Sequence, residues 1–330
     1  MTHAPSLIAE LSRPLAAGAF LSDAARRRLL ETLPRATGET LDAFAAAADA
    51  VRRARRGNAV SLCAIISAKS GRCGENCAFC AQSGHYETSS PEHALLPPER
   101  IVEAAAAMAR HGVARFGLVA SGRALPANEL ESAAQALAGI ARLPMAADAS
   151  LGVLPEDALA RLKNAGMAAY HHNLETSRAF YPEICTTRTF DDNLNVLRAC
   201  RKLDIPICSG GLFGMGETWE DRADLALTLL EAGAFSIPVN FLNPIPGTPL
   251  ASQPVLSRDE ARRIVILLRF LLPDRQIRIC GGRPAVFGPD ASLAPMAAGA
   301  DGLMVGDYLT TTGNALEEDR RGLDGMGFVL

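Results

Sequence analysis

Three cysteines stand within eight residues, Cys73-Gly-Glu-Asn-Cys77-Ala-Phe79-Cys80, in a C-x3-C-x2-C spacing. A glycine-containing loop of this length can turn all three sulfurs inward, so that three thiolates wrap one corner of a metal centre. Two chemistries fit that donor set. A structural zinc site needs a fourth Cys or His, and His85 lies five residues on. A [4Fe–4S] cluster with three protein ligands and one open iron needs no fourth side chain. The chain has 8 cysteines in all, and in a reducing compartment thiols at such spacing point to metal or redox chemistry rather than to disulfides.

Other residues add polar chemistry. Asn173 and Glu175 alternate along one apolar run, so a strand there would aim both side chains the same way. A carboxylate at that place can hold ribose hydroxyls, and an amide donates and accepts together. Arg188 can pair with a carboxylate in a bidentate way, and Asn240 offers a second amide.

The elements that must position these residues follow from the pattern of apolar runs. Residues 1–56 read as a helical extension, with Ser22 and Asp23 capping one helix and a second starting near Thr40. The basic run Arg52, Arg53, Arg55 and Arg56 suits a helix C-terminus. Eight short apolar runs then predict strands over 60–67, 114–120, 145–152, 168–175, 205–214, 235–242, 276–282 and 302–308. Amphipathic helices lie between most of them, at 98–111, 127–141, 155–165, 191–202, 221–232 and 258–272. Eight βα units in an α/β chain predict a (β/α)8 barrel of the TIM type over residues 57–312, although an open doubly wound sheet shares the alternation. Residues 313–330 form a polar tail, either mobile or folded over one end of the barrel. In either fold the chemistry belongs at the C-terminal strand ends.

The chain has 330 residues, 48% of them hydrophobic and 21% charged, and a net charge of −3. These values exclude collagen-like or broadly disordered material and give no reason to expect nucleic acid. No run of about 20 apolar residues and no targeting signal is visible, which predicts a cytoplasmic protein with no membrane partner.

The C-x3-C-x2-C loop, with Phe79 before the last cysteine, resembles the signature of the radical S-adenosylmethionine (SAM) enzymes. Six further segments in order resemble the biotin synthases: 67–73, 170–177, Cys185-Thr-Thr-Arg-Thr189, 207–211, 214–218 and 247–250. The resemblance implies a radical SAM barrel in which Cys73, Cys77 and Cys80 hold a [4Fe–4S] cluster whose open iron chelates SAM. It implies that Phe79, Glu175 and Arg188 contact SAM, and that Asn173, Asn240 and His171 contact dethiobiotin. Two 5′-deoxyadenosyl radicals would remove hydrogens from dethiobiotin, and sulfur from an auxiliary cluster would close the ring of biotin. A flavodoxin or ferredoxin-type electron donor and a homodimer are implied as well. The rivals are a hydrogenase-maturation or methylornithine-forming enzyme of similar architecture, or a non-catalytic metal-binding barrel.

One departure from the family matters. Better-known biotin synthases hold a [2Fe–2S] cluster with three Cys and an Arg on four strands. Cys208 and Arg278 match two of those ligands, but Gly117 and Asp148 stand at the other two. Glycine cannot ligate. Cys63 and Cys280 offer a replacement, because Arg278 and Cys280 face one side of their strand and barrel strands converge inward. An auxiliary Fe–S cluster on Cys63, Cys208 and Cys280 is therefore expected, a four-iron centre with an extra sulfide, with Asp148 and Arg278 near it. The competing reading makes these three thiols small buried hydrophobes. Cys185 and Cys200 have no evident partner.

Overall fold

The alternation of short apolar runs and amphipathic stretches folds, in the computed structural model, into a closed barrel of parallel strands. The structure describes residues 4–289, 291–306 and 316–330. Three helices come first: α1 (Ala4–Ala16), α2 (Asp23–Thr32) and α3 (Gly38–Arg56). Ser22 caps α2 by accepting from the Ala25 amide, as its side chain and position predict. The helix α3 begins slightly before Thr40 and ends on the basic run. Arg52 departs from a simple dipole role, because it is buried against Asp49, the Gly57 carbonyl and Asn58.

The barrel follows as β1 (Ser61–Lys69), α4 (Pro98–Arg110), β2 (Arg115–Ala120), α5 (Ala127–Ile140), β3 (Ala146–Ser150), α6 (Glu156–Asn164) and β4 (Ala169–His171). It continues through α7 (Tyr181–Ile184), α8 (Phe190–Lys202), β5 (Ile207–Cys208), β6 (Gly211–Phe213), α9 (Trp219–Ala232) and β7 (Ser236–Phe241). The last elements are α10 (Arg258–Leu271), β8 (Gln276–Ile279), α11 (Arg283–Phe287), α12 (Ala294–Ala297), β9 (Gly302–Met304) and α13 (Leu316–Gly325). Hydrogen-bonded neighbours run β5-β4-β3-β2-β1-β9-β8-β7-β6, and a β5–β7 pairing closes the ring. Every pairing is parallel, and the strands are buried on both faces, which is why they read as apolar runs rather than alternations.

Two strands differ from their predicted extents. The run 205–214 splits into β5 and β6, which together fill one barrel position. At the break, a side chain on Gly210 would collide with the Pro238 backbone, so the chain passes too close to β7 for regular pairing. In the run 168–175 the regular strand ends at His171, and Glu175, in the left-handed region at φ 69°, makes only an isolated bridge to Gly211. Asn173 and Glu175 therefore do not alternate on a strand. Asp307 and Tyr308, expected to end the last strand, and the expected barrel boundary at residue 312 lie outside the described residues.

The helical extension packs on the barrel through α3 and α10, where the Phe44 and Phe270 rings meet edge to face at 6.1 Å. Asp301 ties the same region together. It accepts from Arg56 at 2.9 Å, from Arg269 at 2.7 Å and from the Ile277 amide at 2.8 Å. The described part of the tail folds back to the N-terminal end of β1, where Ala59 bridges Val329. The opposite end, with the C-terminal strand ends, carries the site. Among the described residues no helix is long and apolar enough to cross a membrane.

Candidate active site

The loop after β1 carries Cys73, Cys77 and Cys80, and its backbone is tied on both sides. Cys73 donates its amide to the Gln82 carbonyl at 2.9 Å, and its own carbonyl accepts from Gly84 at 2.7 Å. Asn76 then fastens the loop to the segment before α8. Its Nδ2 donates to Thr186 Oγ1 at 2.7 Å, and its Oδ1 accepts from the Thr186 amide at 2.9 Å. Buried Glu75 accepts from Thr187 Oγ1 at 2.5 Å and from Arg123 at 3.0 Å. The threonines of the Cys185-Thr-Thr-Arg segment thus hold the cysteine loop. Sequence reading singled out only Arg188 there, because the pairs lie more than a hundred positions apart.

All three cysteines face a cavity of about 420 Å³ at the C-terminal end of the barrel. Glu175, Arg188, Asn173, Asn240, His171 and Phe79 line it too, so the predicted SAM and substrate residues share one chamber with the thiols. Its volume suits a small organic ligand. No three His, Cys, Asp or Glu side chains among the described residues are grouped at the spacing a single metal ion would need. His85, the fourth zinc ligand considered above, directs its Nε2 at the Gly74 carbonyl at 2.9 Å instead. Three thiols open on the chamber while Cys185, bonded to Cys77, does not line it, an arrangement that fits a four-iron cluster better than zinc.

The electrostatics around the thiols are specific. An Arg188 N–H reaches toward Cys77 Sγ at 3.9 Å, and its Nε donates to Tyr181 Oη at 3.2 Å. Burial works against the Arg188 charge, but Tyr181, Cys77 and Glu75 keep the guanidinium firmly protonated. Cys185, given no partner by the sequence, shares a hydrogen bond with Cys77, which pulls its own thiol down to about 5. Burial raises the Glu175 carboxyl to about 7, with Arg188 and Asn173 opposing.

The two amides are held by backbone. Asn173 Oδ1 accepts from the Gly210 amide at 3.2 Å, and its Nδ2 points to Glu175 at 3.4 Å. Asn240 Nδ2 donates to the Gly211 carbonyl at 3.2 Å, and its Oδ1 accepts from the Gly281 amide at 3.0 Å. Each keeps one free N–H and one free lone pair for a ligand.

Beneath the cavity lies a second constellation. Cys63 on β1, Cys208 on β5 and Cys280 just past β8 are all nearly fully buried, as is Arg278. They are near enough that each thiol feels the others and the guanidinium. Burial pushes Cys63 and Cys280 up, whereas at Cys208 the attraction of His171 and Arg278 outweighs burial and lowers the thiol. Arg278 donates to the Ser61 carbonyl at 3.1 Å and to Gln276, which fixes its position at the barrel centre. Cys280 lines the cavity floor, while Cys63 and Cys208 lie behind it. Sequence reading named these four but missed Arg115, which forms a bidentate pair with Asp148 at 2.7 and 2.6 Å.

Comparison with known proteins follows the same lines. Residues 68–229 match the Radical SAM superfamily, and residues 238–329 match the Biotin and Thiamin Synthesis associated domain. The chain is 47% identical over 292 residues to a biotin synthase of Nitratidesulfovibrio vulgaris Miyazaki F, covering 86% of this chain and 80% of that protein. It is 45% identical over 314 residues to a biotin synthase of Syntrophotalea carbinolica, covering 94% of each. Among solved structures it resembles methylornithine synthase (PylB), with a TM-score of 0.82 at 21% identity over 96% of each chain. It also resembles the FeFe-hydrogenase maturase HydG of Carboxydothermus hydrogenoformans, with a TM-score of 0.80 at 19% identity over 98% of this chain and 79% of that one. At these identities the two structures speak for the fold alone.

Proposed function

The chain belongs to the biotin synthases, radical SAM enzymes that insert sulfur into dethiobiotin, and from that membership we propose how its own residues divide the work between two centres. Cys73, Cys77 and Cys80 hold the [4Fe–4S] cluster, which when bound supplies the electron that cleaves SAM. Glu175 accepts from the ribose hydroxyls, Arg188 pairs with the SAM carboxylate, and Phe79 packs in the same chamber. The free N–H and lone pair on Asn173 and on Asn240 read the ureido ring of dethiobiotin. His171 borders the substrate on the deep side. The narrow cavity orients the substrate and excludes water, while the cofactors carry the radical chemistry.

The sulfur donor is an auxiliary Fe–S centre on Cys63, Cys208 and Cys280, with Arg278 beside it. The observation that carries this reading is the convergence of three buried thiols and one guanidinium directly beneath the SAM-side chamber. Three thiolates suit a four-iron centre with one iron open for an extra sulfide, and a [2Fe–2S] centre of the usual form is not supported, since Gly117 offers no ligand. Family membership supports a flavodoxin or ferredoxin-type donor, a homodimer and a cytoplasmic setting as parts of the same proposal.

Anaerobic incubation of the reconstituted protein with dethiobiotin, SAM and a low-potential reductant is expected to yield biotin by mass. Formation of 5′-deoxyadenosine without biotin would leave SAM cleavage standing and remove sulfur insertion. The reconstituted protein is expected to hold about eight irons per chain. A C63A/C208A/C280A variant is expected to retain about four irons, to keep cleaving SAM and to make no biotin. Undiminished iron in that variant would overturn the auxiliary assignment.

A further inference from the structure

Behind Cys208 stands a chain of polar side chains that the two centres do not account for. Asp148 is wholly buried on β3. Its carboxylate accepts two hydrogen bonds from Arg115 on β2, at 2.7 and 2.6 Å, and faces His171 Nε2 on β4 at 3.0 Å. His171 on β4 is the registered partner of Cys208 on β5, so the two side chains stand as neighbours on one face of the sheet, and the charge of each acts on the other. Arg115, Asp148, His171 and Cys208 thus sit on four consecutive strands in one unbroken line. Gly117 makes room for it. A Cβ there would touch His171 Cε1 at 3.8 Å and crowd Ile65 Cγ2 at 3.1 Å. His171 lines the cavity and Cys208 does not. The imidazole therefore stands between the substrate chamber and the Cys208 sulfur.

A carboxylate against one ring nitrogen of a histidine fixes the tautomer and the ring plane, and so directs the other nitrogen. Here the neighbour on the next strand is the Cys208 thiol. We propose that Asp148, anchored by Arg115, is a positioning residue that directs a His171 N–H onto the Cys208 sulfur, and that this hydrogen bond sets the redox poise of the sulfur-donating centre. The inference rests on the auxiliary-centre reading given above. Hydrogen bonds onto cluster sulfurs stabilise the reduced, more negative state and raise the potential. Loss of this bond lowers it. A purely structural Arg115–Asp148 ion pair across β2 and β3 would change stability and leave the potential alone.

The test uses the full-length reconstituted enzyme and its variants D148N and H171N, with potentiometric EPR of each cluster and hyperfine spectroscopy on protein labelled with 15N-histidine. In the wild type a histidine nitrogen coupling to the auxiliary centre is expected. In D148N iron content and the SAM-cluster signal are expected to hold. The auxiliary potential moves negative, and biotin formed per 5′-deoxyadenosine falls about 10-fold. H171N moves the potential the same way and abolishes the nitrogen coupling. An unchanged auxiliary potential in both variants, or no histidine coupling in the wild type, overturns the proposal while leaving the auxiliary centre in place. A wild type with about four irons and no second potential removes the auxiliary centre itself, and the proposal with it. If D148N loses its clusters by misfolding, R115Q decides. It leaves Asp148 and His171 in place and is expected to shift the potential in the same direction by less; no shift overturns the proposal.

Discussion

Burial lifts the Glu175 carboxyl to about 7 against the pull of Arg188 and Asn173, so it becomes an acceptor near neutral pH. SAM binding is expected to tighten as pH rises through about 7, and E175Q is expected to flatten that dependence. The same variant should raise the KM for SAM by about 10- to 100-fold, the scale of a lost hydrogen bond to a charged group, read from steady-state 5′-deoxyadenosine formation. His172 provides a stability test of opposite character. Burial first, then the Arg188 charge, holds it down to about 4, with a hydrogen bond to Asn193 at 3.0 Å opposing. A histidine depressed in the folded state favours folding above its ordinary value of about 6.5 and loses that contribution as pH falls toward about 4. Urea unfolding of the wild type compared with H172Q should show a difference growing by roughly 2 kcal/mol between pH 7 and pH 5. Residues with chemistry in their own spacing, such as Cys73, Cys77 and Cys80, were legible from sequence. Glu75, Asn76, Thr187 and Arg115 were not. Their meaning comes from partners 33 to 112 residues away, and no local pattern signals a long-range hydrogen bond.

The strands that the periodicity predicts are the ones that form, since parallel barrel strands buried on both faces read as unbroken apolar runs. Their ends were less legible. The run 168–175 stays apolar and polar by turns past His171, yet the regular strand stops there and Glu175 turns left-handed at an isolated bridge to Gly211. The Gly210 break had no sequence marker beyond the glycine pair, because the crowding comes from Pro238 on a neighbouring strand. The junction between the helical extension and the barrel joins the Phe44–Phe270 contact to ion pairs that no sequence pattern signals. Asp301 neutralises Arg269, whose guanidinium is fully buried and also donates to the carbonyls of Gly299 and Arg275. Removing one partner of such a pair strands the other charge, so D301A is expected to cost about 3–5 kcal/mol. Chemical denaturation of the apo-protein measures this, and a loss below about 1 kcal/mol would show that water replaces the aspartate.

At the scale of the molecule the two thiol sets lie one above the other along the barrel. One is open on the cavity rim; of the other, Cys280 reaches the floor while Cys63 and Cys208 lie behind it. The largely apolar chamber between the two sets is lined by residues from nearly every strand end, and the second set, unlike the first, cannot be read from one segment alone. Barrel closure itself passes through Cys208. The strand β5 has only two residues, and its single registered pair with β7 is Cys208 with Ser236. Flanking bonds run from the Ser209 amide to the Ser236 carbonyl at 3.0 Å and from the Phe235 amide to the Ile207 carbonyl at 3.0 Å. Elsewhere the ring is sewn by longer ladders, such as the six paired positions of β1 and β2. An iron–sulfur bond at Cys208 would therefore rivet the barrel where β5 is held to β7 by one registered pair. Iron loading and the mechanical integrity of the ring then become one property. The Ser209 and Phe235 amides are expected to exchange with deuterium much faster in iron-free protein than in loaded protein, while the β1 amides change little.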